Sequence, residues 1–200
     1  MKTFLILLTS ALILVACHSN PGKITVKSDD GKTSATVDLS TAEKNANEMQ
    51  NKAEELKKLA PLTTDELKAL LPEEVNGIQR SSFNVTTAMG ISVGEAEYKK
   101  DDTTSIKLAL YDCAGETGAA YYSASYWMKM NMQSESDNGY TKTIDFMNGK
   151  AVETFEKSSN HYTLVYLGND RVLVTIEGYN ISDDTLKDVA KNLNMKVREY

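Results

Sequence analysis

Cysteine and histidine side chains are the best suited in this chain to nucleophilic and acid–base chemistry, and there are two of each: Cys17, Cys113, His18 and His161. Cys113 lies between a predicted strand and a predicted helix, and a thiol at a helix N-terminus can have a lowered pKa. A nucleophilic or redox role is therefore one interpretation of Cys113, burial as a small apolar side chain is the second, and intermolecular pairing is the third. His161 would need a nearby nucleophile and a carboxylate to act as a general base. Otherwise it is a turn histidine exposed to water.

No catalytic motif accompanies these side chains. The chain has no HExxH, GxSxG, phosphate-loop or dinucleotide-binding motif, and its acidic pairs lack the spacing of a calcium loop. These pairs are Asp29-Asp30, Glu54-Glu55, Glu73-Glu74, Asp101-Asp102 and Asp183-Asp184. Solvated turns and helix starts account for them. We therefore predict that the protein is not an enzyme and that it has no catalytic residue, cofactor or metal ligand.

Cys17 follows a run of 13 residues without charge, residues 4–16. A helix that spans a bilayer needs about 20 apolar residues, so this run is too short and is typical of a signal peptide. The tetrapeptide Leu14-Val15-Ala16-Cys17 resembles the lipobox of bacterial lipoproteins. The resemblance implies that residues 1–16 are removed and that Cys17 becomes the first residue and carries acyl chains.

Attachment through lipid agrees with the charge of the chain. Removal of residues 1–16 takes away one positive charge, that of Lys2, and no negative one, so the formal net charge changes from −6 to −7. This sign disfavours nucleic acid as a partner and leaves membrane attachment to the lipid on Cys17. The second mature residue is His18 and not Asp. By resemblance to lipoprotein sorting, we expect an outer-membrane protein facing the periplasm if the host is Gram-negative.

Residues 17–60 are predicted to be a tether, a small hairpin and an amphipathic helix. Two β-prone runs, 24–26 and 36–39, flank an Asp-Gly turn signal. The helix is predicted over 41–60, with Ser40 as its N-cap and a thin stripe that is mostly alanine. Such a helix either lies solvated on the domain or acts as a spacer or self-association seam.

Residues 61–200 are predicted to form a single α+β domain with the order βββ-α-ββββ-α. The predicted strands are 78–88, 91–99, 105–113, 140–146, 150–157, 162–167 and 171–179, and the main helices are 117–133 and one that begins after Ser182. We expect one antiparallel sheet of about seven strands with helices packed on it. Several strands are apolar on both faces, which predicts a sheet covered on both sides. The element order is similar to that of the Mog1 and PsbP proteins.

The predicted helix over 117–133 is the best sequence candidate for a binding surface, because Tyr and Met are enriched in the cores of protein interfaces. The candidate partner surface consists of Tyr121, Tyr122, Tyr126, Met128, Met130 and Met132. These side chains surround the helix, so the alternative is that the helix is buried on more than one side. The sheet face is the other surface that could carry contacts.

From residue 71 onward the chain resembles a set of uncharacterised bacterial envelope lipoproteins with no assigned activity. The shared features are Leu71-Pro72, Val75, Gly77, Arg80-Ser81, Glu95-Ala96-Glu97-Tyr98, Asp112-Cys113-Ala114-Gly115, Gly139-Tyr140 and Asp170-Arg171. We expect a lipid-anchored envelope protein that acts as a non-enzymatic binding or accessory module for another envelope component. The alternatives are an enzyme or redox protein that uses Cys113, and an immunity or exclusion lipoprotein that neutralises a toxin.

Overall fold

The computed structural model describes residues 22–29, 31–38 and 42–195 as a mixed α+β protein. The strands are β1 Lys23–Lys27, β2 Ser34–Asp38, β3 Glu74–Val75, β4 Ile78–Ala88, β5 Ile91–Lys99, β6 Ser105–Asp112, β7 Asn131–Ser136, β8 Gly139–Phe146, β9 Gly149–Glu156, β10 His161–Gly168 and β11 Val172–Tyr179. The helices are α1 Ala42–Lys57, α2 Thr64–Leu70, α3 Gly115–Ala124, a 3₁₀ helix Ser125–Lys129 and α4 Asp183–Asn192.

The described strands form one antiparallel sheet in the order β1-β2-β7-β8-β9-β10-β11-β6-β5-β4-β3. An antiparallel sheet with packed helices is as predicted, but the sheet has 11 strands and not about seven. The N-terminal hairpin joins the main sheet, because β2 pairs with β7. The short strand β3 pairs with the start of β4 and has no counterpart among the predicted strands.

Strand β7 lies where the sequence predicts the end of a helix, and the prediction of one helix over 117–133 is wrong beyond residue 124. After α3 the chain tightens into a 3₁₀ turn and then extends. Residues Asn131–Ser136 alternate between exposed and half-buried positions, which is the period of a strand. Pairing with β2 on one side and β8 on the other satisfies their backbone groups. The partner β2 is far away in the chain, so the local sequence does not predict this pairing.

One face of the sheet, here the core face, is buried under α2 and α4. The alternate residues of β6 and β11 that line it, such as Leu108, Leu110 and Ile176, are at most 1% exposed. Helix α2 begins at a capping box in which Thr63 and Glu66 bond each other's backbone N–H groups. The missing side chains at Gly94 and Gly178 in the sheet let α2 and α4 approach closely.

The opposite face, here the groove face, is covered at one end only. At the end where β6 finishes, here the Asp112 end, α1 and α3 pack together over Leu167 and Leu173. In α1, Ala53 and Leu56 are buried against α3. Of the two interpretations of this helix, a position on the domain is therefore the one observed, and the helix ends at Lys57 and not at residue 60. The sheet is covered on both faces only near this end.

A buried ion pair joins the sheet to the helices at the Asp112 end. The Arg171 guanidinium binds the Asp112 carboxylate through Nε at 2.8 Å and a second nitrogen at 2.9 Å. Both side chains are nearly inaccessible, with exposures of 6% and 0%. The carboxylate also accepts hydrogen bonds from the backbone N–H groups of Leu62, at 2.6 Å, and Ala114, at 3.2 Å. Arg171 donates a further bond of 2.9 Å to the carbonyl of Ala60.

A second buried carboxylate, that of Glu153, fixes α4 to the core face. Lys142 Nζ lies 2.8 Å from Oε1 and Lys187 Nζ lies 2.6 Å from Oε2, while the Tyr140 hydroxyl donates to Oε1 at 2.7 Å. Burial alone raises the pKa of Glu153. The three donors outweigh it, so the pKa of this carboxyl lies below its ordinary value.

We predict that Asp112→Ala lowers the free energy of unfolding by about 3–5 kcal/mol, because it leaves the buried Arg171 charge without its carboxylate. Urea denaturation followed by circular dichroism measures this change. Asp145→Ala removes an exposed partner of Lys150 and is the control, with no resolvable change expected. Equal stability of Asp112→Ala and the unmodified chain would contradict the role of the pair.

We also predict a specific pH dependence from Glu153. Its carboxylate stabilises the fold above its ordinary pKa of 4.5, and this contribution is lost as the pH falls through the lowered pKa of the folded chain. In Glu153→Gln, denaturation at a series of acidic pH values gives a shallower loss of stability below 4.5 than in the unmodified chain. Parallel pH profiles would mean that Glu153 does not contribute.

Candidate functional site

The open half of the groove face holds a cavity of about 430 Å³ across four adjacent strands, β4, β5, β6 and β11. This volume is in the range of ligand-binding clefts. Its lining is Ser82, Asn84, Glu95, Ala96, Glu97, Lys107, Leu108, Ala109, Tyr111, Thr175 and Glu177. Because α1 and α3 sit at the Asp112 end, no described helix packs over this half of the face. We call this cavity the groove.

Strand register places the charged side chains of the groove in a row. Lys107 of β6 lies directly opposite Glu97 of β5 and Glu177 of β11. Glu95 is one pleat further along β5, opposite Ala109. Lys99 approaches Glu97 at 3.6 Å. The groove therefore combines carboxylate acceptors with ammonium donors, and the small side chain of Ala109 leaves room above its floor.

Tyr111 forms the aromatic wall of the groove nearest to α3. Its ring stacks on that of Tyr121, with 6.0 Å between centroids and 23° between planes. Burial and the nearby Glu95 carboxylate raise the pKa of Tyr111, so its hydroxyl is protonated at neutral pH and is able to donate a hydrogen bond. Through this stack, the exposed Tyr121 extends the groove toward the helix.

His161 lies near the polar side of the groove, at the start of β10. Its ring stacks on Tyr179 at 4.2 Å with 7° between planes, and its Nε2 atom lies 3.7 Å from a Glu177 oxygen. The side chain is only 16% exposed, so it is not the water-exposed turn histidine of the sequence-based interpretation. Cys113 follows β6 at the opposite end of the sheet, and the fold does not bring these two residues together.

Cys113 is completely buried between the sheet and the helix pair α1–α3. Burial raises the pKa of its thiol to about 12. Its Sγ atom donates a 3.8 Å hydrogen bond to the carbonyl of Tyr111, two residues earlier in the chain. A thiol in this environment is protonated at physiological pH and behaves as a small apolar side chain.

The candidate partner surface of tyrosine and methionine residues does not form one exposed helix face. Tyr122 and Met128 are each 2% exposed and belong to the interior. Tyr121 is exposed at 39%, and Met130 and Met132 are half-buried beyond the 3₁₀ helix. The side chain of Tyr126 lies outside the described part of the chain.

The sequence patterns do not single out the groove residues or the exposed Trp127, which is 41% accessible. Glu95, Glu97 and Lys107 alternate with buried residues, and that pattern is the same for any solvated strand face. Only the pairing of β5, β6 and β11 brings them together. The pattern could have indicated that these side chains share a face, but not that they border a cavity.

Cys17 and the lipobox lie outside the described residues. Among the residues from 22 to 195 that are described, no helix is long and apolar enough to cross a membrane, and no group of three or more acidic, Cys or His side chains is arranged to hold a metal ion. No protein-family model, curated protein or solved structure matches the chain.

We predict that Cys113 does not react with Ellman's reagent at pH 8 in a folded form that begins at His18, and that it reacts completely in guanidinium chloride. Burial and the raised pKa both suppress the thiolate. The absorbance of released thionitrobenzoate gives the rate. Met89→Cys places a second thiol at a position that is 94% exposed and should react at once in the folded form. Rapid reaction of Cys113 in the folded protein would contradict this prediction and support a nucleophilic role.

Proposed function

We propose that this chain is a lipid-anchored protein of the cell envelope, attached through acyl chains on Cys17, whose groove binds another envelope component without chemical conversion. The lipobox-like residues 14–17 support the anchor. The uncovered groove is the observation that carries the binding role, because the described helices pack over the core face and over only one end of the groove face. In a Gram-negative host, we place the protein on the outer membrane facing the periplasm.

The lining of the groove favours a polar partner. Its three carboxylates accept hydrogen bonds, Lys107 donates them, and the Tyr111 ring offers a flat surface for stacking. Pockets for small apolar molecules are mostly enclosed by hydrophobic side chains. An open polar groove suits instead the polar edge of a larger molecule that presents amino, amide or hydroxyl groups, with water filling the remaining contacts.

Binding is favoured over the alternative of an enzyme or redox protein that uses Cys113. Nucleophilic catalysis needs an accessible, activated thiol with a base within hydrogen-bond distance. The thiol of Cys113 is buried with a raised pKa, and His161 lies at the other end of the sheet. Neither condition is met by the described residues.

The test is a substitution that fills the groove of the anchored protein with a large side chain. We predict that Ala109→Trp abolishes cross-linking to the partner in intact cells, because the indole occupies the space between Glu95 and Thr175. Ser134→Trp makes a similar change on β7 of the same sheet face, outside the groove, and should retain the partner. Recovery is measured by purification from membranes followed by mass spectrometry, with thermal melting to verify that both variants fold.

The anchor is tested in the same preparation with Cys17→Ala. Loss of membrane association, together with the absence of acyl groups on the N-terminal peptide of the variant, is the expected result. If the unmodified protein carries no acyl group, the anchoring part of the proposal fails. If Ala109→Trp keeps the partner at the level of Ser134→Trp, the groove is not the contact surface.

A further inference from the structure

The four strands at the N-terminal side of the sheet, in the order β1-β2-β7-β8, have two chemically different ends. At the Asp112 end, the chain enters β1 at Lys23, the 3₁₀ helix leads into β7, and the turn after β8 carries Met147. At the other end the connections are polar, with Ser28, Asp29 and Lys32 in one turn and Asp137 and Asn138 in the next. Among the described connections of these strands, large exposed apolar side chains, those of Trp127 and Met147, occur only at the Asp112 end. Strand β1 itself exposes Ile24 near this end and Val26 toward the other.

Met147 combines an unfavourable backbone conformation with an exposed apolar side chain. It is 60% exposed, and its φ of 52° lies in the left-handed region, which a side chain of this size seldom adopts. Apart from Met89, the other described non-glycine residues at positive φ are Asn or Asp, which tolerate this conformation. Met89 shares both features, so it is the position of Met147, at the end of the strand next to β7, that makes it a candidate for a contact outside the folded domain.

Trp127 lies at the same end, in the 3₁₀ helix that precedes β7. It is 41% exposed, and its carbonyl accepts a 3.1 Å bond from the N–H of Met130, which fixes the backbone. Lys129 follows it closely in the chain, and Ile24, at the start of β1, is 55% exposed. Tryptophan beside lysine is the combination that favours the boundary between headgroups and acyl chains.

The length of the tether determines what can reach this end. Five residues separate Cys17 from Lys23. Even fully extended, this segment spans only about 20 Å. If Cys17 holds acyl chains in a bilayer, the start of β1 stays within that distance of the membrane surface, and the neighbouring ends of β2, β7 and β8 stay close to it.

We propose that Ile24, Trp127 and Met147, here the tether corner, contact the bilayer interface and set the orientation of the domain on the membrane. This inference rests on the proposed lipid on Cys17. The acyl chains supply the affinity, because a domain with net charge −7 has no general attraction for anionic headgroups. The corner fixes which side faces the lipid. The groove strands β4, β5, β6 and β11 are separated from this corner by β9 and β10, so the groove stays clear of the membrane.

Trp127 makes the test direct, because it is the only tryptophan in the chain. The acylated protein is purified from membranes and reconstituted into vesicles of phosphatidylethanolamine and phosphatidylglycerol, with or without bromine on the acyl chains. We expect its emission to shift to shorter wavelength on reconstitution and to be quenched by the brominated lipid. Mass spectrometry of the N-terminal peptide establishes the acyl chains independently.

Two variants locate the contact. The double variant Ile24→Ser/Met147→Ser should lose most of the quenching while it remains in the vesicles. Met89→Ser is the matched control, since Met89 is also an exposed turn methionine at positive φ but lies between β4 and β5. It should keep the quenching of the unmodified protein, and both variants are checked for unchanged thermal melting.

The outcomes separate this inference from the proposed anchor. An acylated protein whose Trp127 emission is not quenched overturns the tether corner and leaves the anchor intact. Quenching of the double variant equal to that of the unmodified protein, or equal losses in Met89→Ser, also overturns it. A protein that carries no acyl chains contradicts the anchor itself.

Discussion

The bidentate pair between Arg171 and Asp112 is the constraint from which the rest of the architecture follows. Two charges have been removed from water, and such a pair is tolerable only if every remaining donor and acceptor is satisfied. The backbone supplies these partners: the N–H groups of Leu62 and Ala114 and the carbonyl of Ala60. The pair therefore holds the chain between α1 and α2 and the entrance to α3 against the β6–β11 strands.

This arrangement explains why only half of the groove face is covered. Helices α1 and α3 are both held near the same charged pair, and they pack against each other through Ala53, Ala119 and Tyr122. The small side chains of Ala53 and Ala119 allow close approach, and both helices lie near the Asp112 end of the sheet. On the groove face, no described helix covers the part of β4, β5, β6 and β11 that lies further from Asp112, and the groove forms there.

Local patterns predicted the elements that local interactions form. The last helix was predicted correctly to begin after Ser182, because the side chain of this residue caps its own sequence neighbours. Strand β7 was missed because the apolar run before it continued a helical pattern and because one of its two partners, β2, comes from a distant segment. The same limit applies to the groove. Glu97 and Lys107 lie on consecutive strands, but Glu177 is distant in sequence, and only the strand register makes the three neighbours.

The charges of the groove also shape what it selects. Lys107 is placed opposite a carboxylate on each neighbouring strand, and its Nζ atom lies 5.5 Å from the centroid of the Tyr179 ring. Lys99 further offsets Glu97. Much of the local charge is therefore balanced within the fold, although the whole chain is acidic. A partner gains little from a net opposite charge here. It gains from placing donors against Glu95 and the other acceptors and a flat group against Tyr111, so that shape and hydrogen bonding, more than long-range attraction, determine specificity.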